Sequence, residues 1–252
     1  GGPNGRMYID LKAFFSSEAT LYHDDPKLFN NKGKKSKEAM MGDIIHLPNG
    51  EMTLNLNITA AAPIERLDIF NGLELIETFK PFSIDDLGNK IRVIWEGAEY
   101  RGRFRQVIWD GEAEVLGNEI LSSKPINFFN PDKALVQTSK SLRWEALTTG
   151  NFGGFDIYLK DPLAGKLKIK TPLVKTQIDI KDIGFEDKIF DESGVLPKIL
   201  KIFRLPSNNK NHKIDLKRKI KLKVKGDNPI YIRLTQEDGT VAWTSPIYVY
   251  RA

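Results

Sequence analysis

The chain has 252 residues, of which 40% are apolar and 28% charged, with no cysteine and a net charge of +5. That length admits one large β domain or two smaller ones. The lack of cysteine excludes disulfides and thiolate metal sites and suits the cytoplasm and a bacterial periplasm equally, while no apolar run approaches the ~18 residues that a membrane-spanning helix needs.

The chain opens Gly1-Gly2-Pro3-Asn4 rather than on Met, and it reads as a piece of a longer protein. Residues 7–15 form the first predicted strand, with Tyr8, Ile9, Leu11, Phe14 and Phe15 available for packing. Residues 16–50 read as loop-rich. They offer a short helix near 17–22, a polar cationic loop at 30–37 and a turn at His46-Leu47-Pro48-Asn49-Gly50. Residues 53–59 alternate strictly, so Leu54, Leu56 and Ile58 share one buried face. The next strand, 64–70, meets Asn71-Gly72, whose residues tolerate positive φ, and 73–79 returns as a hairpin.

Residues 90–95 make another strand. Residues 100–109 are expected as a strand that turns at Asp110-Gly111 and runs back to Leu116. Short strands follow at 134–138, 142–146, 155–159, 167–170, 174–180 and 199–205, each bounded by Gly, Pro, Asn or Asp. A second short helix fits 187–191. Residues 198–225 hold eleven Lys/Arg and one acid, Asp215, so this block carries +10 and the remainder −5. Within it Ile214, Leu216, Ile220, Leu222 and Val224 point one way, interrupted by Arg218, and Lys217, Lys219, Lys221 and Lys223 point the other. Residues 228–236 and 241–250, joined at Glu237-Asp238-Gly239, close a sheet as a hairpin. The expected fold is all-β, an antiparallel sandwich-like arrangement with long loops and at most short helices. It is read as a single region spanning 1–252, with a possible seam at 125–131.

Three stretches carry a resemblance: Pro63-Ile64-Glu65-Arg66-Leu67-Asp68-Ile69-Phe70-Asn71-Gly72; Tyr100-Arg101-Gly102-Arg103-Phe104-Arg105 leading into Trp109-Asp110-Gly111; and Asn228-Pro229-Ile230-Tyr231-Ile232-Arg233 with Gln236, Asp238, Gly239, Ala242, Trp243 and Ser245-Pro246-Ile247. Trp144 followed by Thr148-Thr149-Gly150 fits the same pattern more loosely. In order and spacing they resemble the C-terminal β region of the bacterial domain-of-unknown-function 3604 family. The resemblance implies a metal-dependent hydrolase of the polymerase-and-histidinol-phosphatase (PHP) superfamily as parent. Its metal ligands would be His, Asp and Glu residues in an upstream α/β domain, the implied partner of this region. No catalytic residue carries over, and no cofactor is implied within this fragment.

The residues themselves show no catalytic constellation. His23, His46 and His212 are scattered, where a hydrolytic metal site needs converging ligands. His23-Asp24-Asp25 is the nearest thing to a ligand cluster and reads as a polar turn. Asp110, Glu112 and Glu114 beside Trp109 have the residue types of a glycosidase pair, yet fit a turn and a solvent face more simply. Gly150-Asn151-Phe152-Gly153-Gly154 lacks the Lys-Ser/Thr of a phosphate loop and reads as a turn. On a strand, Arg101, Arg103 and Arg105 would form a cationic row able to grip a phosphate or carboxylate, or to pair with glutamates next door. The row Lys217, Lys219, Lys221 and Lys223 would bind an anionic surface or guard a β edge. It lacks interleaved aromatics, so nucleic acid is not the expected partner. Trp95, Trp109, Trp144 and Trp243 are expected in the core. Exposed and coplanar, they would instead mark the alternative function, a stand-alone carbohydrate- or polymer-binding module.

Overall fold

Most of the chain alternates inward and outward side chains, the period that a pleated strand imposes. The computed structural model describes residues 5–22, 33–128, 130, 132–192 and 194–252. In chain order the strands are β1 (Met7–Tyr22), β2 (Lys34–Met40), β3 (Ile44–His46), β4 (Met52–Ala60), β5 (Ile64–Asn71) and β6 (Glu74–Phe79). Then come β7 (Lys90–Gly97), β8 (Val107–Ile108), β9 (Gly111–Leu116), β10 (Ile120–Ile126), β11 (Val136–Gln137) and β12 (Ser141–Trp144). These are followed by β13 (Leu147–Thr148), β14 (Phe152–Leu159), β15 (Lys166–Lys170), β16 (Lys175–Asp179), β17 (Lys188–Glu192) and β18 (Lys198–Leu205). The last are β19 (Lys213–Ile220), β20 (Gly226–Gln236), β21 (Val241–Trp243) and β22 (Ile247–Arg251). Helix among the described residues is limited to three 3-10 turns, at Ile84–Asp86, Arg103–Arg105 and Ile180–Asp182. The fold is all-β, and no helix among the described residues is long and apolar enough to cross a membrane.

Two units divide the strands: Gly1–Pro81 with Lys210–Ala252, and Phe82–Asn209. The second is therefore one continuous segment inserted between β6 and β19. In the first unit a ten-stranded sheet runs β19-β4-β1-β3-β22-β20-β5-β6, with β2 on β1 and β21 on β20. Lys12 pairs with both Met40 of β2 and Asn55 of β4, and Thr20 with both Lys35 of β2 and His46 of β3. So β2 takes one edge of β1, while β3 and β4 share the other. The link between β3 and β4 is tied to β1: Ser16 Oγ accepts the Glu51 N–H at 2.8 Å and Ser17 Oγ donates to the Asn49 carbonyl at 2.6 Å. Met52, Leu54, Leu56 and Ile58 of β4 are fully buried. Leu56 stands between Leu11 of β1 and Leu216 of β19, so one face of three strands makes the centre of the core. The sheet curls until its end strands meet. Arg218 of β19 donates to Glu77 Oε1 of β6 at 2.8 Å and lies over the Phe79 ring at 5.7 Å.

The second unit is a sandwich. One sheet runs β10-β14-β7-β18-β17 and the other β11-β12-β9-β15-β16, with β8 and β13 paired separately. A single core joins Val93, Trp95, Phe155, Ile157 and Leu200 of the first sheet to Val115, Leu142, Trp144, Leu167 and Ile169 of the second. The rings of Trp95 and Trp144 stack at 5.3 Å with 5° between planes. The other face of β7 and its neighbours carries buried charge. Arg92 donates through Nε and Nη2 to both oxygens of Asp156 at 2.6 and 2.8 Å. Arg204 of β18, fully buried, donates to the carbonyls of Ile183, Gly88 and Ile180 at 2.6–2.7 Å, and that burial lowers its pKa.

Several expectations need correction. Residues 17–22 and 188–192 are strand, because pairing with β2, β3 and β18 outweighs weak local preference. The segment 16–50 carries three strands, and residues 34–37 of the expected loop lie in β2; the rest of that loop, 30–32, is outside the described residues except for Gly33. The strands group into two compact units, and the expected seam at 125–131 falls in the second. Pro125 lies in β10, which is an end strand and so tolerates a residue with no N–H to give. Val224 is 87% exposed, because the ladder of β19 stops at Ile220. The turn after β5 does hold, with Gly72 at φ +62° and Asn71 paired to Glu74.

Arg204→Ala strands three carbonyls, two of them buried, and is expected to cost about 3 kcal/mol or more. Arg204→Lys should recover only part of it, since one ammonium cannot span the fork. Urea unfolding of both variants checks this. At the turn after β14, the Asp161 carboxylate accepts the N–H groups of Leu163 and Ala164, in that order the causes that hold its pKa below the usual value. The turn is therefore held above the ordinary carboxylate range and loosens as pH falls through the lowered value, which amide exchange at Leu163 and Ala164 reports.

Candidate functional site

Arg101, Arg103 and Arg105 are expected in a row on a strand. The structure places them on a loop instead, since residues 99–106 turn back on themselves before β8. Gly102 takes φ +115°, and Phe104 and Arg105 sit at φ +67° and +50°, the left-handed region. The strand pattern fails because the loop closes on itself: Glu99 N–H donates to the Arg105 carbonyl at 3.0 Å and Arg105 Nε to the Glu99 carbonyl at 2.9 Å. Arg101 lies over the Tyr100 ring and Arg103 over Phe104, at 5.3 and 5.0 Å. All three arginines are exposed. Asp110-Gly111 is not a hairpin turn either. Gly111 opens β9 because a Cβ there would meet Trp144 Cζ2 at 2.6 Å and the Lys170 carbonyl at 2.7 Å.

The lysine row is split. Lys217 and Lys219 lie on β19, at one end of the sheet path, and Lys219 pairs with Glu51 at 3.0 Å. Lys221 and Lys223 lie beyond the end of β19, and the side chains of all four are exposed. Arg218, which broke the apolar face in the sequence, is the residue that clasps Glu77.

Carboxylates that resembled a glycosidase pair are engaged by neighbours. Glu112 pairs with Lys170 at 3.6 Å and Glu114 with Lys168 at 3.7 Å, directly across the β9–β15 ladder. Asp110 Oδ1 accepts the Ala146 N–H at 2.9 Å. His46 tilts against Tyr250 at 5.4 Å, and His212 Nδ1 lies 3.1 Å from the Ala60 carbonyl. His23-Asp24-Asp25 lies outside the described residues. Among the described residues no group of three or more His, Cys, Asp or Glu side chains lies together as a metal site would need.

Three of the tryptophans are buried as expected: Trp95, Trp109 and Trp144. Trp243, expected to be packed, is 62% exposed, because β21 ends there. The coplanar pair is thus the buried pair, not a surface platform. Trp144 Nε1 donates to the Trp109 carbonyl at 2.6 Å, and Trp109 Nε1 to Thr148 Oγ1 at 3.0 Å. Trp95 Nε1 is buried and has no acceptor among the described residues.

Trp95 also lines a cleft of about 300 Å³, which sequence reasoning missed, and its buried N–H lies beside Gly153, another lining residue. Phe128 forms another wall, its ring edge-on to Trp95 at 6.1 Å. Asn127 and Asn151 bring amides to it. Asn127 donates Nδ2 to the Phe152 carbonyl at 3.2 Å, and Asn151 accepts the Thr149 N–H at 2.9 Å. The other atom of each amide, Asn127 Oδ1 and Asn151 Nδ2, has no partner among the described residues. At the rim Lys133 and Glu145 neutralise each other at 3.1 Å. The cleft thus offers an apolar wall, an open acceptor on Asn127, open amide donors on Asn130 and Asn151, the Thr149 hydroxyl and a buried donor, with no net charge. Its segments come from β7, from the chain after β10 and from the chain between β12 and the start of β14, Gly153 included.

Arg105→Ala should raise amide exchange across residues 99–106 by opening the loop base, whereas Arg101→Ala and Arg103→Ala should change stability by less than about 0.5 kcal/mol, as for surface residues without structural partners. No protein-family model matches the chain, and no curated protein and no solved structure matches it either.

Proposed function

We propose that this chain is a non-catalytic β region of a larger protein, accessory to a metal-dependent hydrolase domain of the PHP type lying upstream in the same polypeptide. The three ordered stretches from Pro63 to Ile247 support the parent assignment by their resemblance to the domain-of-unknown-function 3604 family. The observation that carries the accessory role is the state of the acidic groups. Hydrolytic work needs a carboxylate free to bind a metal or move a proton. Glu112 and Glu114 are matched to lysines across a ladder, Asp156 holds Arg92, and Asp68 accepts two N–H bonds from Arg233 and an O–H bond from Thr78. Each therefore serves the sheet that carries it.

On this reading the reactive groups and the divalent metal belong to the upstream domain, and the β region contributes stability and a surface for that domain to pack on. The purified chain is expected to show no phosphoesterase turnover with added Mn²⁺ or Zn²⁺. The coding sequence immediately before it is expected to specify a His- and Asp-rich α/β segment. Turnover that survives repeated purification and disappears on Glu112→Gln would defeat the accessory role, and an upstream segment without that character would defeat the parent assignment.

A further inference from the structure

The cleft beside Trp95 has a chemistry that the scaffold role leaves unused. We propose that it binds a neutral sugar ring. The inference goes beyond the accessory reading and stands or falls separately from it.

Its volume, about 300 Å³, matches the lower end of small-molecule sites, which suits one ring rather than a large cofactor. Phe128 presents an aromatic surface of the kind that packs against the C–H face of a pyranose. Around it the open hydrogen-bonding atoms are of both kinds, an acceptor on Asn127 and donors on Asn130 and Asn151. A ring carrying several hydroxyls satisfies both, since each hydroxyl donates and accepts. A purely apolar guest would leave these amides unpaired. A phosphate or carboxylate would find no uncompensated cation, because Lys133 is already matched to Glu145.

The Trp95 N–H is the most specific signal. A buried donor without an acceptor destabilises the protein that carries it, and a ligand oxygen that accepts the bond would remove that cost. Trp95 cannot turn to find an acceptor, because its ring is held against Trp144. Gly153 lies beside the nitrogen, and a Cβ at that position would press on Nε1 at 3.0 Å. Glycine keeps that side of the indole clear, and no positive φ is needed there, so an alanine would be resisted by the Cβ contact alone and not by the backbone. A sugar oxygen that settles against the wall, with a small inward adjustment, would receive this N–H.

The test follows the Trp95 indole N–H by two-dimensional NMR on the intact chain, assigned by its disappearance in Trp95→Phe. The probes are glucose, galactose, mannose and N-acetylglucosamine, with inorganic phosphate as the anionic comparison. At least one sugar is expected to shift the Trp95 signal saturably while the indole signal of Trp243 stays in place. Affinity, followed in Trp95→Phe by the backbone amide signals of Asn151 and Gly153, should fall at least about tenfold in Gly153→Ala and in Trp95→Phe, with near-ultraviolet dichroism confirming that each still folds. Asn151→Ala, whose side chain is outside the core, gives a third variant that should weaken binding. The proposal is overturned if no sugar moves the Trp95 signal up to its solubility limit. It is equally overturned if binding is unaltered in all three variants, or if phosphate saturates the site in preference to every sugar.

Discussion

The stack of Trp95 on Trp144 is the contact on which the second unit and its cleft depend. Each ring comes from a different sheet, so their 5° alignment sets how the sheets face each other across the core. Aromatic pairs of this kind add about 0.5–1.5 kcal/mol beyond the burial of their area. The stack is locked from one side. Trp144 donates to the Trp109 carbonyl, Trp109 donates to Thr148, and the Thr148 hydroxyl donates to the Gly97 carbonyl at 2.7 Å. Gly111 allows the close approach of the Trp144 ring that this relay requires. Trp95 receives the stacking but no share in the relay. Its N–H is left over as a consequence of geometry, and the cleft forms where Trp95 meets the chain segments around Asn127 and Asn151.

The first unit solves a different problem. An open sheet exposes two rows of unpaired backbone groups, which invite pairing with other chains. Here the sheet curls until Arg218 of β19 reaches Glu77 and Phe79 of β6, joining the two ends by side chains rather than by backbone bonds. The lysines of β19 then serve the edge. Lys217 and Lys219 stand outward, where charge discourages a second chain from docking. The +10 block is consistent with this local need.

What could be read from the sequence was whatever depended on neighbours close along the chain. The alternation of β4 named Leu54, Leu56 and Ile58, and all three are fully buried. Gly72 and Gly239 marked the tight turns where positive φ is required. Glu112 and Glu114 read as a solvent face and pair there with lysines. Long-range pairing was not legible. Lys-Ile-Phe-Asp-Glu of β17 is too short to separate helix from strand without knowing that β18 lies alongside. The Arg101–Arg105 alternation imitated a strand, and only the closure between Glu99 and Arg105 excludes it. The cleft left one trace. Gly153 and Gly154 fall inside β14, not in a turn, and paired glycines in a strand signal close approach. Gly154 answers to Val93 of the neighbouring strand, Gly153 to the Trp95 indole.

Charge misled where neutral polarity did not, and the reason is energetic. A charged side chain is conspicuous in a sequence, but folding places it either in solvent or beside an opposite charge, because any other outcome costs several kcal/mol. Arg92, Arg204 and Arg233 each found carboxylates or carbonyls, and Arg101 and Arg103 are exposed, each over a neighbouring ring. Once paired, such groups have little left for a ligand. An amide or an indole N–H can be left half satisfied at a cost of about 1–3 kcal/mol, which a fold can bear. Such residues advertise nothing in the linear chain, since Asn and Trp are equally at home in turns and cores. Unspent hydrogen-bonding capacity, rather than formal charge, is therefore the better guide to where this protein can hold something other than itself.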